Sequence, residues 1–371
     1  VRVIRRVPRQ VNCRVGIMRQ KVVYILPFYD PETDTHLYYN YGLIEAASKQ
    51  LDIFVVVEKH SEVKLPNKKW RMQKFQNPIL RFLELLFLCF RLRALGCKSL
   101  YSHYSYYGAL AGILTDMKTF YWNRGMPWLF RRGWFEEMIF HIVLRHSILV
   151  TSPRELAQEY ARRYGVKEYK ILSNWIDVDA FSPKNSKEDA KRALDLDPAK
   201  KHILFVHHLS ERKGVDLIAK TAGKLSGTEN IEFLVVGGGP YRKTLEEDAK
   251  HAPIPIRMVG EIPNREVVRC FQAADIFFMP SREEGSPHVI LEAMAAGTPF
   301  VAADVGGIRE VIPKEAEEFL CPSGDIGAFA EKIKKLLESP QNYTRAREAG
   351  LRHAQNFSKE RGVREFISLF E

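Results

Sequence analysis

The chain is poor in cysteine, with five in 371 residues, an odd number without metal-ligand spacing. That excludes a disulfide-stapled secreted scaffold and fits reduced thiols in a cytoplasmic protein. It has no apolar run of the roughly 18 residues that a membrane span requires. The closest, "ILRFLELLFLCFRLRALG", is interrupted by Arg81, Glu84, Arg91 and Arg93 and reads as an amphipathic helix. There is no internal repeat at solenoid spacing, no low-complexity tract, and no zinc-finger, RNP-like or helix-turn-helix signature. The opening "VRVIRRVPRQVNCRVGI" carries five arginines before Met18 but neither a long apolar core nor a small-residue cleavage site, so it makes a poor secretory signal. Residues 1–17 are expected to form a disordered basic arm or an over-extended reading frame with Met18 as the true start.

Acidic residues are scarce in one half only. Up to Ser182 there are 28 Lys and Arg against 16 Asp and Glu, and after it 28 against 29, so the net charge of +11 belongs to the first half. Between Lys59 and Lys98 ten basic residues meet two acids, interleaved with Trp70, Phe75 and Phe82. Such a face suits an anionic partner, whether membrane lipid, a phosphorylated acceptor or nucleic acid. A merely solvated basic surface is the alternative.

What the chain does contain is a rhythm of short apolar runs separated by helical patterns. "KVVYILPF", "LDIFVVVE", "SLYSHYS", "KTFYWN", "SILVTS" and "YKILSN" form one series. "KHILFVHH", "IEFLVVGGG", "IRMVGEI", "DIFFMPS" and "PFVAAD" form a second. Continuous β-rich runs alternating with helices predict parallel sheets covered on both faces. The length exceeds what one core serves. The fold class is therefore α/β, with two doubly wound Rossmann-like domains facing across a cleft: residues 18–182, then 183–356, joined near Phe181 to Ser186 where Pro and polar residues cluster. Open sheets of this kind bind ligands beyond the carboxyl ends of their strands.

The stretch "MPSREEGSPHVILEAMAAGTPFVAADVGG" lies at such an end. Ser286 can cap a helix, Pro287 suits the first helical position, and Gly297 stops the helix. Backbone N–H groups from Gly285 through Ser286, Pro287 (which has none) and His288 to Val289 would then face the cleft, where a helix N-terminus favours phosphate. Glu292, more than a turn inside, is suited to accept from adjacent hydroxyls such as those of a ribose. Glu284, before the helix, could meet the hydroxyls of a second sugar. Sugar, diphosphate and ribose in a row describe a nucleotide sugar.

"PSREEGSPHVILEAMAAGTPFVAADVGGIREVI" resembles the donor-site signature of the retaining GT-B glycosyltransferases of family 4. "SERKGVDLI", "LVVGGGPYRKTLE" and "MVGEIPNREVVRCFQAADIFFMPS" resemble other elements of that family. "FSKERGVREFISLFE" is similar to its terminal helix, which implies that residues 357–371 pack back on the first domain. The resemblance implies that Lys213 contacts the donor diphosphate, Glu284 the transferred sugar and Glu292 the ribose. The family's Gly-Arg-Leu is His207-His208-Leu209 here, which puts His208 in the arginine position, with Arg212 an alternative source of charge. Gly306, Gly307 and Glu310 match a family element given no more than a structural or rim role. The family's Gly-Gly loop after the first strand is "FYDPETDTHLYY", without glycine. His36, Tyr38, His103, Asn123 and Arg124 are the acceptor-side candidates.

The reaction so implied is transfer of a hexosyl-type unit, with retention, from a nucleoside diphosphate sugar to a glycan or lipid-linked acceptor in cell-envelope polysaccharide or glycolipid synthesis. It is expected to need no cofactor and no metal. The D-x-D strings at Asp177 to Asp179 and Asp195 to Asp197 fall away from a plausible cleft edge. Nucleic acid is not an expected partner. The location expected is the cytoplasm, with contact at the inner face of an anionic membrane through the basic first half. Rival readings are a same-fold epimerase or phosphorylase, an inactive scaffold motivated by the His-His pair, and a basic nucleic-acid-binding protein. A dinucleotide enzyme is disfavoured because "VVGGGPYR" has Arg242 where G-x-G-x-x-G needs its third glycine.

Overall fold

Among the residues that the computed structural model describes, 19–30, 37–59 and 63–371, thirteen strands form two sheets. The first contains β1 (Lys21–Leu26), β2 (Asp52–Val57), β3 (Trp70–Met72), β4 (Ser99–His103), β5 (Lys118–Trp122), β6 (Ile148–Thr151) and β7 (Tyr169–Ile171), in the order β3-β2-β1-β4-β5-β6-β7. The second contains β8 (Lys201–Val206), β9 (Ile231–Val236), β10 (Ile256–Gly260), β11 (Ile276–Met279), β12 (Phe300–Ala303) and β13 (Leu320–Cys321), in the order β10-β9-β8-β11-β12-β13. Every pairing is parallel. The expected strands are all present. The short edge strands β3 and β13 were not anticipated, because three and two residues are too few to show a period. The basic arm and Met18 lie outside the described residues.

Strands buried on both faces explain why the sequence reads as apolar runs rather than as alternation. In β1, Val23 and Ile25 pack under the helices Pro78–Ala94 and Tyr106–Leu114. Tyr24 and Leu26 face the opposite core, with the helix Leu37–Ala47. The stretch read as amphipathic is the helix Pro78–Ala94, whose N-cap Asn77 accepts from the N–H groups of Ile79 and Leu80.

The chain crosses between sheets twice. Ile176, Val178 and Phe181 belong to the core of the second sheet, so the first crossing lies before Ile176, earlier than the Pro183 region that composition suggested. Proline and polar residues mark an exposed surface there, not the domain joint. The second crossing is beside the first: Ile176 N–H donates to the Phe357 carbonyl at 2.8 Å. The helix Lys359–Ser368 then puts Val363, Phe366, Ile367 and Phe370 into the core of the first sheet. Phe366 is fully buried, its ring 5.0 Å from that of Tyr101.

A Phe366→Ala substitution should therefore weaken the first domain, although only five residues follow it in the sequence. The expected loss is about 3–5 kcal/mol, the usual cost of truncating a buried phenylalanine, read by urea unfolding followed through first-domain tryptophans. A change below about 1 kcal/mol would mean that the helix does not hold that core.

Candidate functional site

The order of the second sheet reverses between β8 and β11, the switch point at which such sheets bind ligands. The loop after β8 carries Lys213 and the loop after β11 carries Glu284. Lys213 Nζ lies 2.7 Å from Glu284 Oε1, and both groups are buried. The two loops are tied together from several directions. Arg282 makes a two-pronged bond to Asp216 at 2.6 and 2.8 Å, and its N–H donates to the Arg212 carbonyl at 2.9 Å. Gly214 has φ +70°, and a Cβ there would stand 2.1 Å from the Pro280 carbonyl oxygen. Gly306 has φ +56°, and its Cβ would stand 1.8 Å from the Glu284 carbonyl oxygen. Glycine is required at both places by the closeness of two backbones. Gly306 and Gly307 thus shape the Glu284 loop, with Gly307 N–H donating to the Gly285 carbonyl.

His207, not His208, completes this cluster. Its Nε2 lies 3.2 Å from Glu284 Oε1, while its Nδ1 accepts from the His208 N–H at 3.0 Å. An Nδ1 that accepts leaves the proton on Nε2, so a neutral imidazole donates to the carboxylate. Burial, above all, lowers the His207 pKa, which agrees with the neutral form. His208 is exposed, and so is Arg212, whose charge lowers the pKa values of His207 and Lys213. Only one of two consecutive residues leaving β8 can face the cleft, and aligning the pair with the family's arginine selected the wrong one. Burial opposes ionisation of Glu284, but the His207 hydrogen bond and the Lys213 charge outweigh it and push the pKa down to about 2. Burial also lowers the Lys213 pKa, offset in part by Glu284.

The helix after the Glu284 loop runs His288–Ala295 and begins one residue later than expected. Pro287 takes the N-cap position, and no side chain caps the helix. Ser286 therefore does not cap; its Oγ is buried without a hydrogen-bond partner. Its carbonyl instead accepts from Asn174 of the first crossing, at 2.5 Å. Gly285, Ser286 and His288 line a cavity of about 310 Å³ together with Lys213 and Glu284. Val289, half-buried, and Pro287, buried, lie outside its wall.

Glu292 is buried, and its environment is supplied by the other domain. The Tyr39 hydroxyl donates to Glu292 Oε1 at 2.5 Å. The Tyr39 ring stacks on His288, with centroids 4.2 Å apart, and its edge meets Trp175. Burial raises the Glu292 pKa to about 7, with the Tyr39 hydrogen bond pulling it partly back. Tyr39 lines both this cavity and a larger neighbouring one of about 950 Å³, whereas Glu292 lines neither. The sequence offered Tyr39 only as part of an aromatic run in a glycine-free loop. A second contact across the cleft is made by Glu310, whose two carboxylate oxygens accept from Arg154 N–H at 3.0 Å.

The acceptor-side candidates separate. Arg124 lines the cavity, its guanidinium 4.9 Å above the Trp122 ring and bonded to the Leu172 carbonyl. Asn123 is buried and serves its own turn, donating to Tyr121 and accepting from Gly125 N–H. His103 is fully buried behind the wall, stacked on Trp122 at 3.9 Å, with Tyr24 and Asn40 on its two ring nitrogens. His36 lies outside the described residues. Asp177, of the first D-x-D string, caps the helix Val178–Phe181.

Known proteins share these features to different extents. The family model for glycosyl transferases group 1 matches residues 186–353. A D-inositol 3-phosphate glycosyltransferase from Corynebacterium urealyticum is 32% identical over 212 residues, covering 54% of this chain and 50% of that protein. The lipopolysaccharide core biosynthesis mannosyltransferase LpsB of Rhizobium meliloti is 31% identical over 212 residues, covering 54% and 60%. This chain thus spans about half the length of the curated relatives it matches. Among solved structures, sucrose-phosphate synthase from Thermosynechococcus elongatus superposes with a TM-score of 0.77 at 19% identity, covering 95% of this chain and 98% of that one. Anabaena HepE in complex with UDP and glucose gives 0.76 at 14% identity, covering 95% and 99%. Residues 186–353 thus match the glycosyl transferases group 1, and the solved structures show the same GT-B fold across both sheets.

Proposed function

We propose that the chain is a retaining glycosyltransferase that moves a hexosyl-type unit from a nucleoside diphosphate sugar to a glycan or lipid-linked acceptor, in polysaccharide or glycolipid synthesis of the cell envelope. The observation that carries this reading is the convergence of Lys213, Glu284 and an uncapped helix start on one cavity at the switch point of the second sheet. A buried cation beside an uncapped helix N-terminus suits a diphosphate. A carboxylate held ionised beside them suits the hydroxyls of the sugar that leaves it. HepE, of the same fold, holds UDP and glucose at its own site, which supports a nucleotide-sugar donor here.

In this reading Lys213 turns from Glu284 to the diphosphate and stabilises the charge that grows on it as the glycosidic bond breaks. The departing phosphate oxygen takes the proton of the acceptor hydroxyl on the same face of the sugar, so the step needs no separate protein base. Arg124, which lines the cavity from the first domain, is the residue proposed to meet the acceptor. Glu292 receives the ribose hydroxyls in place of the Tyr39 hydroxyl, so Tyr39 must withdraw as donor enters.

Three outcomes are expected. UDP, GDP or ADP, or a sugar conjugate of one of them, at about 100 times its dissociation constant should add roughly 2.7 kcal/mol of stability, and Glu292→Ala should abolish that shift. A well-folded protein that responds to none of them would sink the proposal. Tyr39→Phe removes the hydroxyl that competes for a charged acceptor, a bond of order 1.5–3 kcal/mol. Calorimetric titration with the same nucleotide should then show about tenfold tighter binding, and weaker binding would make Tyr39 a donor ligand instead. The third concerns pH. Folding raises the Glu292 pKa, so the donor-free protein loses stability as pH rises from the ordinary carboxyl range through 7. Ribose needs the ionised form, so affinity for a nucleotide sugar should fall roughly tenfold per unit below pH 7 and level off above it. A flat profile in the wild type would remove Glu292 from ribose binding, and Glu292→Gln should be flat.

A further inference from the structure

The helix Pro78–Ala94 has two apolar faces. Leu85 and Cys89 are buried, with Phe82, Leu86 and Leu92 packed beside them on the core of the first sheet. On the other side Ile79, Leu83, Phe87 and Phe90 form a stripe at helical spacing that faces water, with Ile79 71% and Phe87 59% exposed. A helix apolar all round normally lies inside a core or a membrane. The helix Trp134–His146 repeats the pattern. Ile139, Phe140 and Val143 are buried, while Trp134, Phe135, Met138 and Ile142 are exposed, Trp134 at 80%. The helix Tyr106–Leu114 packs against both, so the two stripes share one face of the domain.

These stripes are rimmed by cations. Lys74, Arg91 and Lys98 are exposed around the first helix, and Arg131 and Arg145 around the second. Of the nearby acids, Glu84 accepts from the Lys74 N–H and Glu137 pairs with Arg132, while Glu136 stands in the first turn of the second helix. Two copies of such a face meeting about a twofold axis would oppose like charges, whereas anionic headgroups above an apolar layer complement both its parts. Among the described residues no helix is long and apolar enough to cross a membrane. The helices that follow parallel strands start at the carboxyl ends of those strands, so Ile79, Phe130 and Trp134 lie at the cleft end of this face.

We infer that this two-helix face inserts its aromatic side chains into the interfacial layer of an anionic bilayer and sets the mouth of the cleft against that surface. The inference rests on the lipid-linked acceptor of the function proposed above. It differs from attraction by the basic half alone in predicting binding that survives salt, because insertion of apolar groups is not screened while surface charges are.

The test uses the full chain and sedimented vesicles of phosphatidylcholine with or without phosphatidylglycerol. Binding to the anionic vesicles is expected at low salt, with a substantial fraction retained at 0.5 M salt (a value above which the screening length is a few Å, so about 0.5 M suffices). The Trp134 emission, obtained as the difference between wild type and Trp134→Phe, should shift to the blue on binding. Phe87→Asp with Phe90→Asp, and separately Phe130→Ser with Trp134→Ser, should each lower partitioning by on the order of tenfold or more, with nucleotide-induced stabilisation unchanged. Binding wholly lost in salt and indifferent to these substitutions would overturn the inference in favour of plain electrostatic adsorption. No vesicle binding, together with a dimer in sedimentation velocity that the same substitutions dissociate, would overturn it in favour of self-association. Nucleotide binding is measured independently, so failure here leaves the donor reading standing.

Discussion

The buried carboxylate of Glu284 organises the second domain's half of the cleft. An ionised acid taken out of water must be compensated by its neighbours, or it will not remain ionised. Lys213 and the neutral His207 provide that compensation from a different loop. Because the two loops leave β8 and β11, satisfying one charge fixes the spacing of the switch point itself. The Arg282–Asp216 clamp and the close backbone approaches at Gly214 and Gly306 hold the same geometry from outside. The result is a cleft wall whose charges are paired within the protein itself. In the function proposed, a diphosphate would have to compete for Lys213 rather than meet a bare cation, which would select ligands bringing both a strong anion and hydroxyls for Glu284.

The first domain contributes differently. Its contacts with the second include individual hydrogen bonds from Tyr39, Asn174 and Arg154 at the cleft edge, together with the stacking of Tyr39 on His288. Small polar contacts between domains are readily exchanged for contacts with a ligand. The two domains are thus joined at the cleft by groups that a ligand could replace, while each sheet keeps a separate apolar core.

Much of this was legible in the sequence. Strands buried on both faces leave continuous β-rich runs, and turn residues mark their ends, so the order of elements could be read directly. The acids Glu284 and Glu292 were legible because strand, glycine turn, proline and helix stop occur in one short segment. The terminal helix was read from resemblance, and its apolar face indeed lies in the first core. What escaped depends on distance or on a single residue. Tyr39 reaches Glu292 across 253 positions of chain, and no local spacing encodes how two domains close. The choice of His207 over His208 turns on which of two adjacent side chains faces inward as a strand ends. Ser286 failed as a cap because the helix starts one residue later than expected, at His288, which leaves Pro287 in the cap position. The outward stripe of Pro78–Ala94 was hidden because a helix with two apolar faces looks, in sequence, like one broad face.

The paired crossings have a mechanical consequence. Ile176 and Ser358 bridge in parallel, so two lengths of backbone run side by side where the domains join. A single linker would leave one body free to swivel and tilt about the other. Two adjoining strands behave as a hinge with two knuckles: rotation about the line through them remains soft, while twist about any other line strains one strand against its neighbour. The cleft can therefore widen and narrow along one path, and its two walls return to the same register each time it narrows.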